Sequence, residues 1–321
     1  MRDDFLELYR FARMNGFKVH IFTNARLITA EMVRLFVKLP PRQPVGITVY
    51  GMSAATYENV SGVKGSFEEF RRGIRLLLEN RVDFGLKMAV LPENMSDVPA
   101  YESWVKELFA GEKKPAFVAG FSLRARHDDP EKDERIRNIR GEPEAVVDLV
   151  ARAERYSDEF HDFCRHFTGL KSVKLFECGF GKSLSVDAYG FVQGCLLLRH
   201  PDFRYDLHKG TLAEAFFSFF PNFLERRAEN LSFLLRCARC CLRGLCEQCP
   251  AQSWMEHGTL DTPVEFQCRI AHAHARKLGL LGENENGWEI ADWRVRLNHL
   301  GYVTNPGITP YFLSEWLKSV Y

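Results

Sequence analysis

The chain has 321 residues, of which 46% are hydrophobic and 26% are charged, and this composition excludes a disordered or fibrous protein. The formal net charge is +1, so no long-range field favours nucleic acid or an anionic membrane surface as a partner. Apolar runs such as 215–220 fall far short of the roughly 20 residues that span a bilayer, and the first residues do not resemble a signal peptide. We therefore expect a cytoplasmic protein that binds neither nucleic acid nor membrane.

The first half of the chain alternates between predicted helices and strands. A helix is predicted from Phe5 to a C-cap at Asn15-Gly16, and two later helices begin at the N-caps Thr29 and Ser66. The other periodic segments are helices over 99–109 and 142–156 and strands over 18–22, 45–50, 84–91 and 117–123. Repeated units of this kind predict a parallel sheet covered by helices, in an α/β barrel or a doubly wound sheet.

All nine cysteines lie in the second half of the chain, from Cys164 onward. An odd number of cysteines without an export signal argues against a disulfide framework. Seven of them, with one glycine, follow the spacing C-x11-G-x4-C, C-x2-C-x5-C-x2-C and a final C: Cys178, Gly190, Cys195, Cys237, Cys240, Cys246, Cys249 and Cys268. Thiolates two residues apart reach one metal centre from a tight turn, and four of them satisfy a tetrahedral ion or a cubane cluster. Iron–sulfur clusters are favoured, with a structural zinc site or buried thiols as the alternatives.

This spacing resembles the SPASM domain, the auxiliary iron–sulfur module at the C-terminus of many radical SAM enzymes. Here two residues separate Cys246 from Cys249, where the family has three. The segment 185–195 resembles the β-hairpin of that domain, with Asp187 and Gly190 at the turn. In the first half, 22–25 and 47–51 resemble ends of radical SAM barrel strands, and 57–67 resembles the loop into the next helix.

The resemblance covers roughly residues 3 to 278 and implies an α/β fold. We expect an incomplete radical SAM (β/α) barrel over 1–160, a small SPASM domain with a β-hairpin and helices over 170–280, and an unassigned tail over 281–321. Within that tail, the segment 282–287 is predicted to be a linker.

The resemblance also implies two sets of ligands for two auxiliary [4Fe-4S] clusters. By position, the second cluster has four cysteine ligands, which are Cys237, Cys240, Cys246 and Cys268. The first cluster has Cys178, Cys195 and Cys249, which leaves it one protein ligand short. Cys241 is a candidate for that position, which stays open, and Cys164 is interpreted as a buried thiol.

Polar residues at the predicted strand ends are the candidates for contact with a cofactor or a substrate in the barrel. They are Thr23, Asn24, Lys87, Asn94, Arg124 and Arg126. Alternation along a strand places Arg124 and Arg126 on one face. Polar residues at these positions also serve as caps and turn formers, so each candidate has a structural alternative.

The sequence contains neither the CxxxCxxC motif nor the GGEP-like segment with which radical SAM enzymes bind their catalytic cluster and S-adenosylmethionine. Without three such thiolates we expect the chain to be inactive alone, and to bind S-adenosylmethionine only if an N-terminal part is supplied, for example by a complementing chain. The family activity implied is radical-based modification of a peptide or small-molecule substrate, with a reductant protein as a further partner. Two alternatives are a non-catalytic iron–sulfur electron-transfer or scaffold module and a zinc-stabilised binding protein.

Two other features are interpreted as structural. His272 and His274 lie two residues apart on a predicted helix and point to different faces, so they are not predicted to bind metal together. The aromatic run 216–220 predicts a helix that packs against the core of the cysteine-rich part.

Overall fold

The computed structural model describes residues 3–110, 117–120, 123, 125–152, 172–246 and 249–299. The chain divides into two compact units, Met1–Phe121 and Ser122–Tyr321. The division into 1–160, 170–280 and 281–321 stays a prediction. Among the described residues, no helix is long and apolar enough to cross a bilayer.

The first unit is built on a four-stranded parallel sheet whose strand order follows the chain. Its strands are β1 (Phe22–Thr23), β2 (Val45–Val49), β3 (Phe84–Val90) and β4 (Phe117–Gly120). Its helices are α1 (Phe5–Met14), α2 (Ala30–Lys38), α3 (Ala54–Ser61), α4 (Ser66–Glu79) and α5 (Val98–Leu108), with a 3-10 turn at Pro92–Asp97. A strand order without a reversal is that of a barrel wall and not of a doubly wound sheet. The expected incomplete α/β barrel is confirmed.

One face of this sheet carries the core of the first unit. Val45, Ile47 and Val49 alternate inward along β2, and the alternate residues of β3 are buried in the same way. Period-two alternation places every second side chain on one face of a strand, which explains this pattern. Tyr57 and Phe70 extend the core with ring centroids 5.0 Å apart.

Three local predictions in the first unit are wrong. The strand expected over 18–22 is only Phe22–Thr23, although the Ile21 carbonyl still accepts from the Gly46 amide at 2.9 Å. Ser66 is not an N-cap: Gly65 occupies that position at φ 81°, and the Ser66 hydroxyl bonds to that of Ser61. Of the segment 57–67 expected as a loop into the next helix, the residues up to Ser61 belong to helix α3, which begins at a capping box on Ser53, and only 62–65 connect it to α4.

The second unit joins helices to a small antiparallel sheet. The sheet contains β5 (Ser185–Val186), β6 (Phe191–Gln193) and β7 (Arg204–Asp206). The helices are α6 (Pro130–Ile139), α7 (Pro143–Val150), α8 (Leu212–Glu214), α9 (Arg243–Cys246), α10 (Pro250–His257), α11 (Glu265–Lys277) and α12 (Trp293–His299), with 3-10 turns at Pro201–Phe203 and Phe220–Phe223 and π-helical turns at Ala215–Phe219 and Phe233–Cys237.

The β-hairpin expected over 185–195 is present as β5 and β6. The Asp187 carboxylate accepts from the backbone amides of Tyr189 and Phe191, and Gly190 has φ 79°, a conformation that glycine adopts without steric cost. The resemblance to the SPASM domain predicted this element, and its turn chemistry explains why the hairpin forms. The third strand, β7, pairs with β6 and was not predicted.

The segment 282–299 packs against the cysteine-rich core, and its interpretation as a linker over 282–287 is wrong. The Arg276 guanidinium donates to the Glu283 carbonyl at 3.1 Å, and Arg296 donates to the Glu285 carboxylate at 2.8 Å. Trp293 is buried in the same hydrophobic cluster as residues of α11. Glycine and asparagine in this segment form a turn that returns the chain to the core.

Candidate metal centre

Four of the predicted cysteine ligands line one cavity. They are Cys237, Cys240, Cys246 and Cys268, the set expected for the second auxiliary cluster. Cys240 and Cys246 are buried, whereas Cys237 and Cys268 are partly exposed. We call this space the four-cysteine cavity.

Local structure explains how residues so far apart in the chain reach one cavity. Cys237 ends the π-helical turn Phe233–Cys237, and Cys246 ends α9. Cys268 lies in the first turn of α11, which also packs against α7 and α9. Two tight turns and one helix therefore bring to the same space the four thiols that the resemblance assigns to the second cluster.

Burial keeps these thiols protonated when no metal holds them. Desolvation raises the pKa of Cys237 to about 11, and the neighbouring Cys268 adds to this increase. Desolvation also raises the pKa values of Cys240 and Cys268. Binding of a metal centre must displace these protons, so loading of the site is expected to be pH-dependent.

One wall of the cavity is formed by side chains that were not among the predicted site residues. Arg236, His272 and Trp288 line it together with the cysteines. The Arg236 guanidinium lies 4.6 Å from the centre of the Trp288 ring and donates to the Cys268 Sγ at 3.8 Å. Its charge is paired with the Glu265 carboxylate through two hydrogen bonds of 2.6 and 3.0 Å. A cation against a thiolate stabilises the charged form of the sulfur.

Gly287, in the segment that was predicted to be a linker, packs directly against the cavity residue Cys240. Its amide donates to the His272 Nε2 at 3.0 Å, and its carbonyl accepts from the Cys241 amide at 2.9 Å. His272 therefore carries its proton on Nδ1 and donates it to the Cys268 carbonyl at 2.8 Å. Burial lowers the pKa of His272, which agrees with this neutral form. A β-carbon at Gly287 would lie 2.7 Å from the Cys240 Sγ, so only glycine fits there.

The three cysteines expected for the first cluster lie outside this cavity. Cys178 and Cys195 are close enough to interact electrostatically; desolvation raises the pKa of Cys178, although the residue is largely exposed, and Cys195 adds to the increase. Cys195 and Cys249 pack against the same hydrophobic cluster. Cys249 is the N-cap of α10, and its Sγ accepts from the Gln252 amide at 3.4 Å, a position where a helix stabilises negative charge.

Cys241 shares a hydrophobic cluster with its neighbour Cys240 but differs from it at the cavity. It is 2% exposed, belongs to the hydrophobic cluster with Leu242 and Trp293, and does not line the four-cysteine cavity. The fourth ligand of the first cluster stays open. Within the described ranges, no three His, Cys, Asp or Glu side chains are gathered closely enough to bind one metal ion.

In the first unit, three cofactor candidates bond to nearby backbone groups. The Thr23 hydroxyl accepts from the Ala25 amide at 3.1 Å, and the Asn24 side chain accepts from the Arg26 amide at 3.3 Å. Asn94 is fully buried: it accepts from the Leu91 amide and donates to the carbonyls of residues 50 and 89. These contacts hold the ends of β2 and β3 together, which is a structural use of a polar residue.

The two remaining described candidates, Lys87 and Arg126, lie in different units of the chain. Lys87 lies on β3, where burial lowers the pKa of its amine, and its ammonium is 5.5 Å from the centre of the Phe22 ring. Arg126 lies in the second unit and forms two hydrogen bonds, of 2.8 and 2.9 Å, with the Asp128 carboxylate. Arg124 and Cys164 lie outside the described residues.

Known proteins match this chain in both sequence and fold. It is 33% identical over 111 residues to the Fe-coproporphyrin III synthase of Methanosarcina barkeri, covering 33% of this chain and 26% of that protein. It is 28% identical over 109 residues to the AdoMet-dependent heme synthase of the same organism, covering 34% of this chain and 31% of that protein. It is 24% identical over 181 residues to AlbA, the antilisterial bacteriocin subtilosin biosynthesis protein of Bacillus subtilis, covering 56% of this chain and 38% of that protein. No protein-family model matches the chain.

Among solved structures, the fold is similar to that of native anSMEcpe with bound AdoMet and the Cp18Cys peptide. The TM-score is 0.56 at 15% identity, over 93% of this chain and 81% of that one. The same protein with bound AdoMet gives a TM-score of 0.52, also at 15% identity, over 93% and 79% of the two chains. These likenesses establish the fold.

The relatives are radical SAM/SPASM proteins, and the chain is related to them in sequence and in fold. The resemblance recognised in its cysteine spacing and barrel segments is therefore confirmed. The chain spans only 26% and 31% of the length of the two synthases from Methanosarcina barkeri.

Proposed function

We propose that this chain is an iron–sulfur protein of the radical SAM/SPASM type whose second unit holds two [4Fe-4S] clusters. The observation that carries the proposal is that Cys237, Cys240, Cys246 and Cys268 line one cavity. Four thiols in an enclosure with apolar walls and adjacent arginines fit the ligand preferences of such a cluster. A cluster held there supplies a one-electron redox centre. Cys178, Cys195 and Cys249 hold the other cluster, with one position left to a further ligand.

The proposed activity of the complete system is radical-based modification of a peptide or another substrate. Its support is the sequence match to AlbA, a protein of subtilosin biosynthesis, and the fold shared with anSMEcpe, which is solved with a bound peptide. The residues present include no CxxxCxxC motif, so use of S-adenosylmethionine requires an N-terminal part that carries this motif. Thr23, Asn24, Arg124 and Arg126 remain the proposed cofactor residues, whereas the amide of the fifth candidate, Asn94, is buried and bonded to backbone groups. A reductant protein supplies electrons, and the location is cytoplasmic.

Adjacent cysteines provide a matched test of the cluster assignment. Both cysteines belong to the same apolar cluster, but only Cys240 lines the cavity, so the same substitution at the two positions separates ligation in the cavity from packing. After anaerobic purification, Cys240→Ala is expected to lose about four irons per chain, the content of one cubane cluster, whereas Cys241→Ala keeps the cluster of the cavity. Full iron content in Cys240→Ala would overturn the ligand assignment.

Two alternative functions give different results in the same preparation. A zinc-stabilised binding protein would contain zinc, lack visible absorbance and lose zinc in Cys240→Ala. An iron–sulfur electron-transfer or scaffold module would contain the clusters, yet would not form 5'-deoxyadenosine when a chain carrying the CxxxCxxC motif is added with S-adenosylmethionine and a reductant.

A further inference from the structure

Arg243 is a buried cation between the two sets of cysteines. Its side chain is only 8% exposed, and it lines the four-cysteine cavity. Burial lowers its pKa, and the nearby groups that oppose this are Glu177, Cys237, Cys178 and Cys246. Cys237 and Cys246 belong to the second set of ligands and Cys178 to the first, so one guanidinium lies within electrostatic range of both.

Directional contacts fix this guanidinium in place. Nη1 donates to the Ser172 carbonyl at 2.5 Å, and Nη2 donates to the Lys174 carbonyl at 2.7 Å. Nη1 also lies 3.3 Å from the Glu177 carboxylate, directly before Cys178 in the chain. Arg243 itself begins α9, the helix that ends at Cys246. One side chain thus ties the segment that leads into Cys178 to the turn that carries Cys246.

We propose that Arg243 is a positioning residue shared by both clusters, which holds the Cys178 segment against the central cysteine run and stabilises the reduced form of each cluster with its charge. This inference rests on the proposed function. A thiolate-ligated cluster is negatively charged and gains a further negative charge on reduction. A cation in the protein interior favours the more negative state because charges interact strongly where water is excluded. Net charge and solvent exposure around a cluster set its reduction potential.

Two other arginines in this cysteine run, Arg236 and Arg239, are more exposed to solvent than Arg243. Arg236 is 27% exposed and its charge is neutralised by two hydrogen bonds to Glu265. Arg239 lies between Cys237 and Cys240 but is exposed to solvent, which screens its charge. Arg239 therefore provides a control with the same change of charge in the same run of sequence.

The test compares Arg243→Met, Arg243→Lys and Arg239→Met with the unsubstituted protein. Iron and sulfide are measured first, and the midpoint potentials of both clusters are then measured by a redox titration followed by electron paramagnetic resonance. Arg243→Met is expected to lower both potentials, Arg243→Lys to restore them toward the original values, and Arg239→Met to leave them unchanged. Potentials that are the same in Arg243→Met and the unsubstituted protein would overturn the proposal.

Glu177→Gln tests the same charge without removing the arginine. The Glu177 side chain is 38% exposed and partly neutralises Arg243, so its replacement is expected to raise the potentials. If Arg243→Met fails to fold or to hold iron, Glu177→Gln tests the proposal in its place. Higher midpoint potentials in this variant support the proposal, and unchanged potentials overturn it. An unsubstituted protein without iron and sulfide is a separate result, since it contradicts the proposed function itself.

Discussion

Asn94 illustrates how the fold uses a polar side chain at a strand end. The sequence made it a candidate for cofactor contact, because loops after parallel strands carry function in such folds. In the structure its amide is fully buried and bonds to three backbone groups, at residues 50, 89 and 91. A buried amide that pairs three backbone groups contributes to stability through the groups it satisfies.

We predict that Asn94→Ala lowers the free energy of unfolding by about 3 kcal/mol, because it leaves buried backbone groups without partners. The exposed Asn80 provides the control, since its amide donates to a single helix carbonyl. Asn80→Ala is expected to change stability by less than about 0.5 kcal/mol. Denaturant unfolding of both variants checks this, and equal losses would contradict the role assigned to Asn94.

His274 links the stability of α11 to pH. Burial lowers its pKa from 6.5 to about 4, and the nearby Lys277 contributes in the same direction. Below about pH 6.5 the unfolded chain takes up a proton that the folded chain does not bind until about pH 4, so stability falls as the pH drops through this window.

The free energy of unfolding is expected to drop between pH 7.5 and pH 5.5. We predict that this drop is smaller in His274→Gln by on the order of 1 kcal/mol. Denaturant midpoints at the two pH values measure it, with His257→Gln, at an exposed position, as the control. A pH dependence that is unchanged in His274→Gln would show that the proton is taken up elsewhere.

At the scale of elements, the segment after α11 forms part of the candidate metal centre. Gly287 bonds to Cys241 and His272 through its backbone, and Trp288 lines the cavity beside the cysteines. The sequence predicted a linker here because Gly282, Asn284 and Gly287 are turn formers. Turn composition predicts a change of direction, but the surface to which the chain returns depends on tertiary packing.

We predict that Gly287→Ala lowers iron content and destabilises the protein by about 1–3 kcal/mol, because its β-carbon would lie 2.7 Å from the Cys240 Sγ and 2.8 Å from Leu242. At Gly282 the same substitution meets only the end of the Glu285 side chain, at 3.3 Å, so Gly282→Ala is the control. Iron analysis and denaturant unfolding are the measurements. Iron retention and stability equal to those of Gly282→Ala would contradict the close approach.

The elements that the sequence predicted well are those with a local cause. The Thr29 N-cap and the strands β2 and β3 depend on neighbours within a few residues. The hairpin and the four cysteines that share a cavity were instead expected from the resemblance to the SPASM domain, since Cys-x2-Cys spacing alone pairs Cys246 with Cys249. Arg243 and Trp288 were missed, and His272 was interpreted only as structural, because their positions at the cavity arise from contacts between distant segments, which no local pattern encodes.

At the scale of the whole molecule, the two units carry different parts of the proposed function. The first contributes an incomplete α/β barrel and the second a cysteine-rich metal centre. The sequence includes cysteines for auxiliary clusters and no CxxxCxxC motif. We therefore predict that the purified chain, loaded with iron and given S-adenosylmethionine and a strong reductant, forms no 5'-deoxyadenosine. Its accumulation over a control without protein, measured by chromatography, would contradict this expectation.

The central claim is that the second unit holds iron–sulfur clusters. Iron, acid-labile sulfide and zinc per chain, measured after anaerobic purification together with the visible spectrum, test it most directly. We expect about eight irons with matching sulfide, as two [4Fe-4S] clusters require, and a brown protein. One or two zinc ions per chain with no visible absorbance would contradict the claim, since zinc bound by thiolates is colourless.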